Sequence, residues 1–237
     1  MKLHKLLGVF VLLLIVNLAH GQSVIQRFEI GAGFGGMNYK GDVAPVVKIQ
    51  NTRPAGNFHI RFNFVPSLSW RTGVTVGQIA GADNLSSDPF YKERDFSFSS
   101  FIVEGNTILE YHFFDYRRDS RIDKFSPYIF AGFSLSSITS SPDEGVPYTG
   151  GNIVTPGIPF GVGIKKALSS RISMNWEFTT TKTFSDDVDG ISDNPNLPKF
   201  QRSPRSDNDT YYYLGVSFSY RFSNLICPPH YNNSLYN

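Results

Sequence analysis

The feature that most constrains this chain is an alternation of oily and polar residues with a period of two, recurring in eight segments. Phe58, Ile60, Phe62 and Phe64 interleave with Asn57, His59, Arg61 and Asn63. An extended strand turns that pattern into one oily and one polar face. The same alternation marks segments 28–35, 68–77, 101–113, 128–137, 160–165, 171–178 and 209–222. No segment sustains a helical period, so helices are expected to be short or missing. Ser99-Ser100 is expected to absorb a β-bulge at the start of the fourth strand.

The connections alternate in length. Those after the second, fourth and sixth strands are short or moderate (65–66, 114–126 and 167–170), whereas the others are long, polar and rich in Gly, Pro, Asn and Asp. An even number of antiparallel strands with short turns at one end and long loops at the other is the arrangement of a bacterial outer-membrane barrel, with both termini on the periplasmic side.

Volume decides which face looks outward. The polar face is built from Gly31, Gly33, Gly35, Gly73, Gly77, Gly132, Gly161, Gly163, Gly215 and several serines, while the other carries most of the Phe together with Trp70 and Trp176. An eight-stranded barrel is only just wide enough inside for its own side chains. The small face therefore belongs inside and the bulky one against lipid. The sequence predicts an all-β fold: an eight-stranded antiparallel transmembrane β-barrel of the cell outer membrane with a filled polar lumen. The inward charges are Glu29, Glu104, Glu110 and Glu177 against Arg61, Arg71, Lys165, Arg171 and Arg221. They are expected to pair, because an unpaired buried charge costs several kcal/mol, and so to plug the barrel. His59 and His112 share this face and are expected to act as structural hydrogen-bonders.

The ends and the net charge narrow the function. A basic start, Met1 to Lys5, leads into an apolar run to Leu18 and then Ala19-His20-Gly21. This reads as a signal peptide over 1–21, followed by the barrel over 22–222 and a periplasmic tail over 223–237. No Cys stands at the cleavage site, so lipid attachment there is not expected. Cys227 is the one cysteine, which excludes an internal disulfide framework and Cys-pair metal sites. Of the 22 basic residues, Lys2 and Lys5 leave with the signal, so basic residues then equal the 20 acidic ones. A near-neutral chain does not make the basic footprint that nucleic acid needs.

Individual motifs add little chemistry. Gly31, Gly33 and Gly36 have the G-x-G-x-x-G spacing of a dinucleotide fold, but Met-Asn-Tyr-Lys-Gly-Asp follows, a turn and not a helix. The glycines are better explained as lining the inner wall of the first strand. Asp186, Asp187, Asp189 and Asp193 lack the full spacing and closing Glu of a calcium loop. No cofactor and no metal is expected. The turn 115–124 is longer and more charged than a periplasmic hairpin requires, which marks Arg117, Arg118, Arg121, Asp123 and Lys124 as candidate contacts for a partner. The tail is a second candidate.

Four stretches carry a family resemblance: "EIGAGFGGMNYKGD", "EYHFFDYR", "FSPYIFAGFSL" and "IPFGVGIKKALSSRISMNWEFTTTKTFSDDVDGIS". In this order, covering nearly the whole mature chain, they resemble the PorG-type outer-membrane proteins of the Bacteroidota type IX secretion (Por) system. The resemblance implies a small non-enzymatic barrel that associates with periplasmic subunits of the secretion complex. One departure is a shortened stretch at Thr183 to Val188, which leaves open a paralogue with another partner. Two alternatives come from other classes. A lipid-A-modifying hydrolase would need a Ser-His-acid set at one end of the barrel, and a structural or adhesive surface barrel would work through its long loops.

Overall fold

The computed structural model describes residues 28–40, 48–82, 97–114, 125–142, 152–185 and 209–222. The proposed signal, the C-terminal tail, the acidic loop from Asp186 and the partner candidates Arg117, Arg118, Arg121, Asp123 and Lys124 all lie outside them.

Eight strands form one closed antiparallel barrel in sequence order: β1 (Phe28–Lys40), β2 (Arg53–Val65), β3 (Leu68–Ala82), β4 (Ser97–His112), β5 (Phe125–Pro142), β6 (Asn152–Ala167), β7 (Ile172–Thr183) and β8 (Thr210–Phe222). Closure pairs β1 with β8 from Phe28↔Phe222 to Lys40↔Thr210. With every strand paired on both sides, backbone polar groups are satisfied within the sheet, the condition for crossing lipid with strands. Among the described residues no helix is long and apolar enough to cross a membrane.

Local chemistry sets the short turns. Pro66 and Ser67 form the two-residue β2–β3 connection, and the backbone N–H of His112 donates to Ser67 O at 2.8 Å. In the β6–β7 turn, Ser169 Oγ accepts from the backbone N–H groups of Arg171 and Ile172 at 3.2 and 3.0 Å, a hydroxyl standing in for a missing backbone partner. At the opposite end, a single 3-10 turn at Ile49–Asn51 is tied to β1 by Asn38, whose Nδ2 donates to Lys48 O and Thr52 Oγ1.

Period two becomes two surfaces. Phe34, Phe58, Trp70, Phe101, Leu109, Phe133, Phe160 and Phe218 are exposed outside the wall, Phe133 by 71 %. Around the short-turn end the aromatics touch in a chain, Tyr220 to Phe222 to Phe28 to Phe62 to Trp70, with centroids 5.1–6.3 Å apart. Such a girdle suits the lipid–water boundary. Inside, Tyr128 and Tyr213 lie against Gly163 and Gly215, where an added Cβ would strike the phenol rings.

Two expectations are corrected and a third gains detail. The β3–β4 register runs unbroken through Ser99 and Ser100, and the irregularity falls instead between Asn63 and Val65 on β2. Gly36 does not line the lumen; the wall alternates, and a Cβ there would meet Thr52. The lumen is filled and polar as expected, and toward the long loops buried Ser100, Ser140, Thr155, Thr183 and Asp209 share it with apolar side chains. Toward the long loops, Met37, Tyr39, Ile79, Phe98, Ile102, Ile138, Tyr211 and Tyr213 form a buried apolar cluster.

Candidate functional site: the sealed lumen

The polar half of the lumen is organised around two carboxylates. Glu29 on β1 sits beside Arg61 on β2 and Arg221 on β8 by strand register alone. Its Oε2 lies 3.1 Å from Arg61 Nη1, its Oε1 accepts from Arg221 Nε at 3.0 Å and Asn63 Nδ2 at 3.1 Å, and Lys165 crosses from β6 to complete the set. Glu110 on β4 takes the other side of Arg61 in a fork, at 2.7 Å from Nε and 3.1 Å from Nη2. Two parallel bonds of this kind fix direction as well as charge.

From there the network reaches across the barrel. Arg71 Nε lies 2.6 Å from Glu110 Oε1, a charge contact that misses hydrogen-bond alignment, and its Nη2 bonds Glu177 at 3.0 Å. Tyr128 and Thr179 each donate a hydroxyl to Glu177 at 3.0 Å. His112 Nε2 is 3.2 Å from Glu110, and the Arg71 guanidinium lies 5.3 Å from the centroid of the Phe130 ring. The side chains of Glu29, Arg61, Glu110 and Lys165 have no exposure to solvent.

Glu104 belongs to a separate layer nearer the apolar cluster. It is held by uncharged donors: the Tyr211 hydroxyl, Thr181 Oγ1 at 3.1 Å and Asn106 Nδ2 at 2.8 Å. Arg171 is not in the network. It follows β6 in the tight turn before β7, exposed, and only its carbonyl takes part in pairing, accepting from Arg221 N at 2.7 Å. The parity that points inward along a strand ends where the strand does. Tyr128 and Tyr211 join Asn63 in these layers, and each falls on the inner face by the same alternation, although nothing in the pattern marks their hydroxyls as partners of the carboxylates.

Between the charged layer and the apolar cluster lies a cavity of about 20 Å³, lined in part by Asn57, His59, Arg71, Glu104 and Tyr211. It has room for about one water molecule. His59 Nδ1 and Asn57 Oδ1 have no protein partner, so a water here would meet groups that need one. His59 Nε2 is 3.3 Å from Ser219 Oγ, a Ser–His contact, yet no acid orients the other ring nitrogen. That geometry lacks the third member of a hydrolytic set. Among the described residues no group of three or more His, Cys, Asp or Glu is placed to hold a metal ion.

A closed barrel, apolar and aromatic outside and sealed by its own side chains inside, defines the class: this is an integral β-barrel of the cell outer membrane. Residues 4–230 match the family described as Domain of unknown function (DUF6089), and the chain belongs to that family. No curated protein matches the sequence. Among solved structures, the chain is similar to Neisserial surface protein A, with 14 % identity over 86 % of this chain and 100 % of that one at a TM-score of 0.48. It is similar also to the outer membrane protein OprG from Pseudomonas aeruginosa, with 11 % identity, 84 % and 100 % coverage and a TM-score of 0.47. A third similar structure is the attachment invasion locus protein Ail of Yersinia pestis, with 10 % identity, 83 % and 98 % coverage and a TM-score of 0.46.

Proposed function

We propose that this protein is a non-enzymatic outer-membrane anchor or assembly component of a type IX secretion complex, binding periplasmic subunits of that complex. The observation that carries the reading is the sealed lumen. Ion pairs close one half of the barrel and an apolar cluster closes the other. A barrel whose described interior is filled in this way works through its ends and its lipid-facing wall. At the short-turn end the sequence supplies Arg117, Arg118, Arg121, Asp123 and Lys124 in a connection longer than closure requires, and the tail follows at the same end. The resemblance of four ordered segments to PorG-type proteins supplies the identity of the machinery.

Affinity purification of the tagged full chain from detergent-solubilised outer membranes tests this reading. Recovery of periplasmic subunits of the secretion complex is the expected result, together with their loss when Arg117, Arg118 and Arg121 are all changed to Glu. A barrel that elutes alone, with its heat-dependent gel mobility intact, overturns the proposal.

A further inference from the structure

The outer wall of the barrel is not uniform. On β1, Ala32 pairs with Phe58 of β2 on one side and Phe218 of β8 on the other. A methyl group between two rings leaves a notch, and the notch opens into a groove of about 320 Å³ that runs past Ile30 and Tyr220 to Ile172. Its lining is almost wholly apolar and it faces the bilayer. The row that crosses it continues from Phe218 to Met174 and then to Lys166, an exposed cation on the outward face of β6. At the short-turn end of the groove, Arg171 is exposed and directly precedes Ile172.

The aromatic girdle is a separate observation that points to the same place. Its chain of touching rings covers β8, β1, β2 and β3, and further ring pairs join Tyr111 to Phe113 and Phe114 to Phe125 around the β4–β5 end. At the β6–β7 turn, exposed Leu168 and Ile172 stand where rings would otherwise be, accompanied by Lys166 and Arg171. The wall thus offers an apolar seat for a chain and two cations at the depth of a headgroup. Lys166 can lay its stem along the wall and carry its ammonium to the boundary, and the Ser169 bonds hold the backbone of Arg171 in place.

We propose that this groove binds one anionic phospholipid of the periplasmic leaflet, an acyl chain lying over Ala32 between Phe58 and Phe218 and the phosphate meeting Lys166 and Arg171. The site is independent of any secretion partner. It also gives a role to Arg171, which the strand pattern would have turned into the lumen.

The chain has two tryptophans, and Trp176 shares the outward face of β7 with Ile172. A Trp70→Phe variant in vesicles therefore reports local lipid through quenching of Trp176 by brominated acyl chains. Brominated phosphatidylglycerol is expected to compete about fivefold to thirtyfold better than brominated phosphatidylcholine, the effect of one to two interfacial cations. The preference should fall to near unity in Lys166→Gln/Arg171→Gln, and by half or more in Ala32→Phe, which fills the notch on a face already exposed to lipid. Heat-dependent gel mobility verifies that each variant is folded. Equal affinity for the two lipids in the parent, or a preference untouched by the charge variants, overturns the site. So does a preference that responds to charge but not to Ala32→Phe, because that outcome means diffuse attraction at the rim without a seated chain.

Discussion

The two halves of the lumen are sealed by different chemistry inside one continuous wall. Toward the short turns, Glu29, Glu110 and Glu177 meet Arg61, Arg71, Lys165 and Arg221, with small residues such as Gly163 and Ser173 leaving room for long side chains. Toward the long loops, Ile79, Ile102, Ile138 and Met37 supply hydrocarbon, and the polar groups among them are mostly uncharged hydroxyls: Tyr39 and Tyr211 donate to Asp209 and Glu104, and Ser100 bonds Ser140. Hydrocarbon packing tolerates loss of a group at the cost of a cavity, whereas an ion-pair network penalises any member left unmatched. The charged half is therefore the more specific seal and the apolar half the more forgiving one.

The sharpest way to break this contrast is Glu29→Ala, which takes the carboxylate from buried Lys165 and Arg221 and leaves Arg61 with Glu110 alone. Loss of about 3–5 kcal/mol is expected, read as the shift in urea unfolding of the barrel in lipid vesicles. A cost below that of a single surface change would show that the lumen is wet and the network weak. In the apolar half, Ile138→Ala should cost about 2–4 kcal/mol. Its cost should vary with how far neighbours collapse, and a loss equal to that of Glu29→Ala would erase the distinction drawn here. Gly163→Ala tests the boundary between bulk and charge, since the new methyl must push Tyr128 off Glu177. An overpacking loss of about 1–3 kcal/mol is expected, and an unchanged midpoint would mean that the tyrosine ring moves freely. The smallest effect is expected from Tyr211→Phe, at about 1 kcal/mol, because Thr181 and Asn106 still serve Glu104. If that variant proved more damaging than Glu29→Ala, the hydroxyl layer and not the ion pairs would be the main polar seal.

Much of this architecture is legible in the sequence, for a physical reason. Strands paired on both sides inside a membrane must alternate without interruption, so parity carries Glu29, Arg61 and Glu110 to one wall and Phe58, Trp70 and Phe218 to the other. The volume argument then turns the glycine-lined wall inward. Parity does not encode which carboxylate meets which cation, because Lys165 reaches Glu29 across the barrel and only closure and strand tilt bring them together. It misplaces Arg171, which lies in a turn, and Gly36, which lies on the outward parity of β1. The apolar cluster has no clear sequence signal, because inward-facing isoleucines such as Ile79 and Ile102 are few among the glycines and serines of the same strands. The β2 irregularity near Phe64 has no sequence signal of its own, whereas the serine pair that suggested a bulge sits in regular register.

Glu29 draws its partners from β2, β6 and β8, and its bond to Arg221 joins residues 192 positions apart. The β1–β2 hairpin supplies Arg61, and the remaining two cations come only from β6 and β8. During insertion, an unfinished sheet lacking its final strand carries an incompletely matched acid at its open edge, and arrival of the last segment ends that penalty at the same moment as it zips the seam. Closing the ring and completing the charge set of Glu29 are therefore one event.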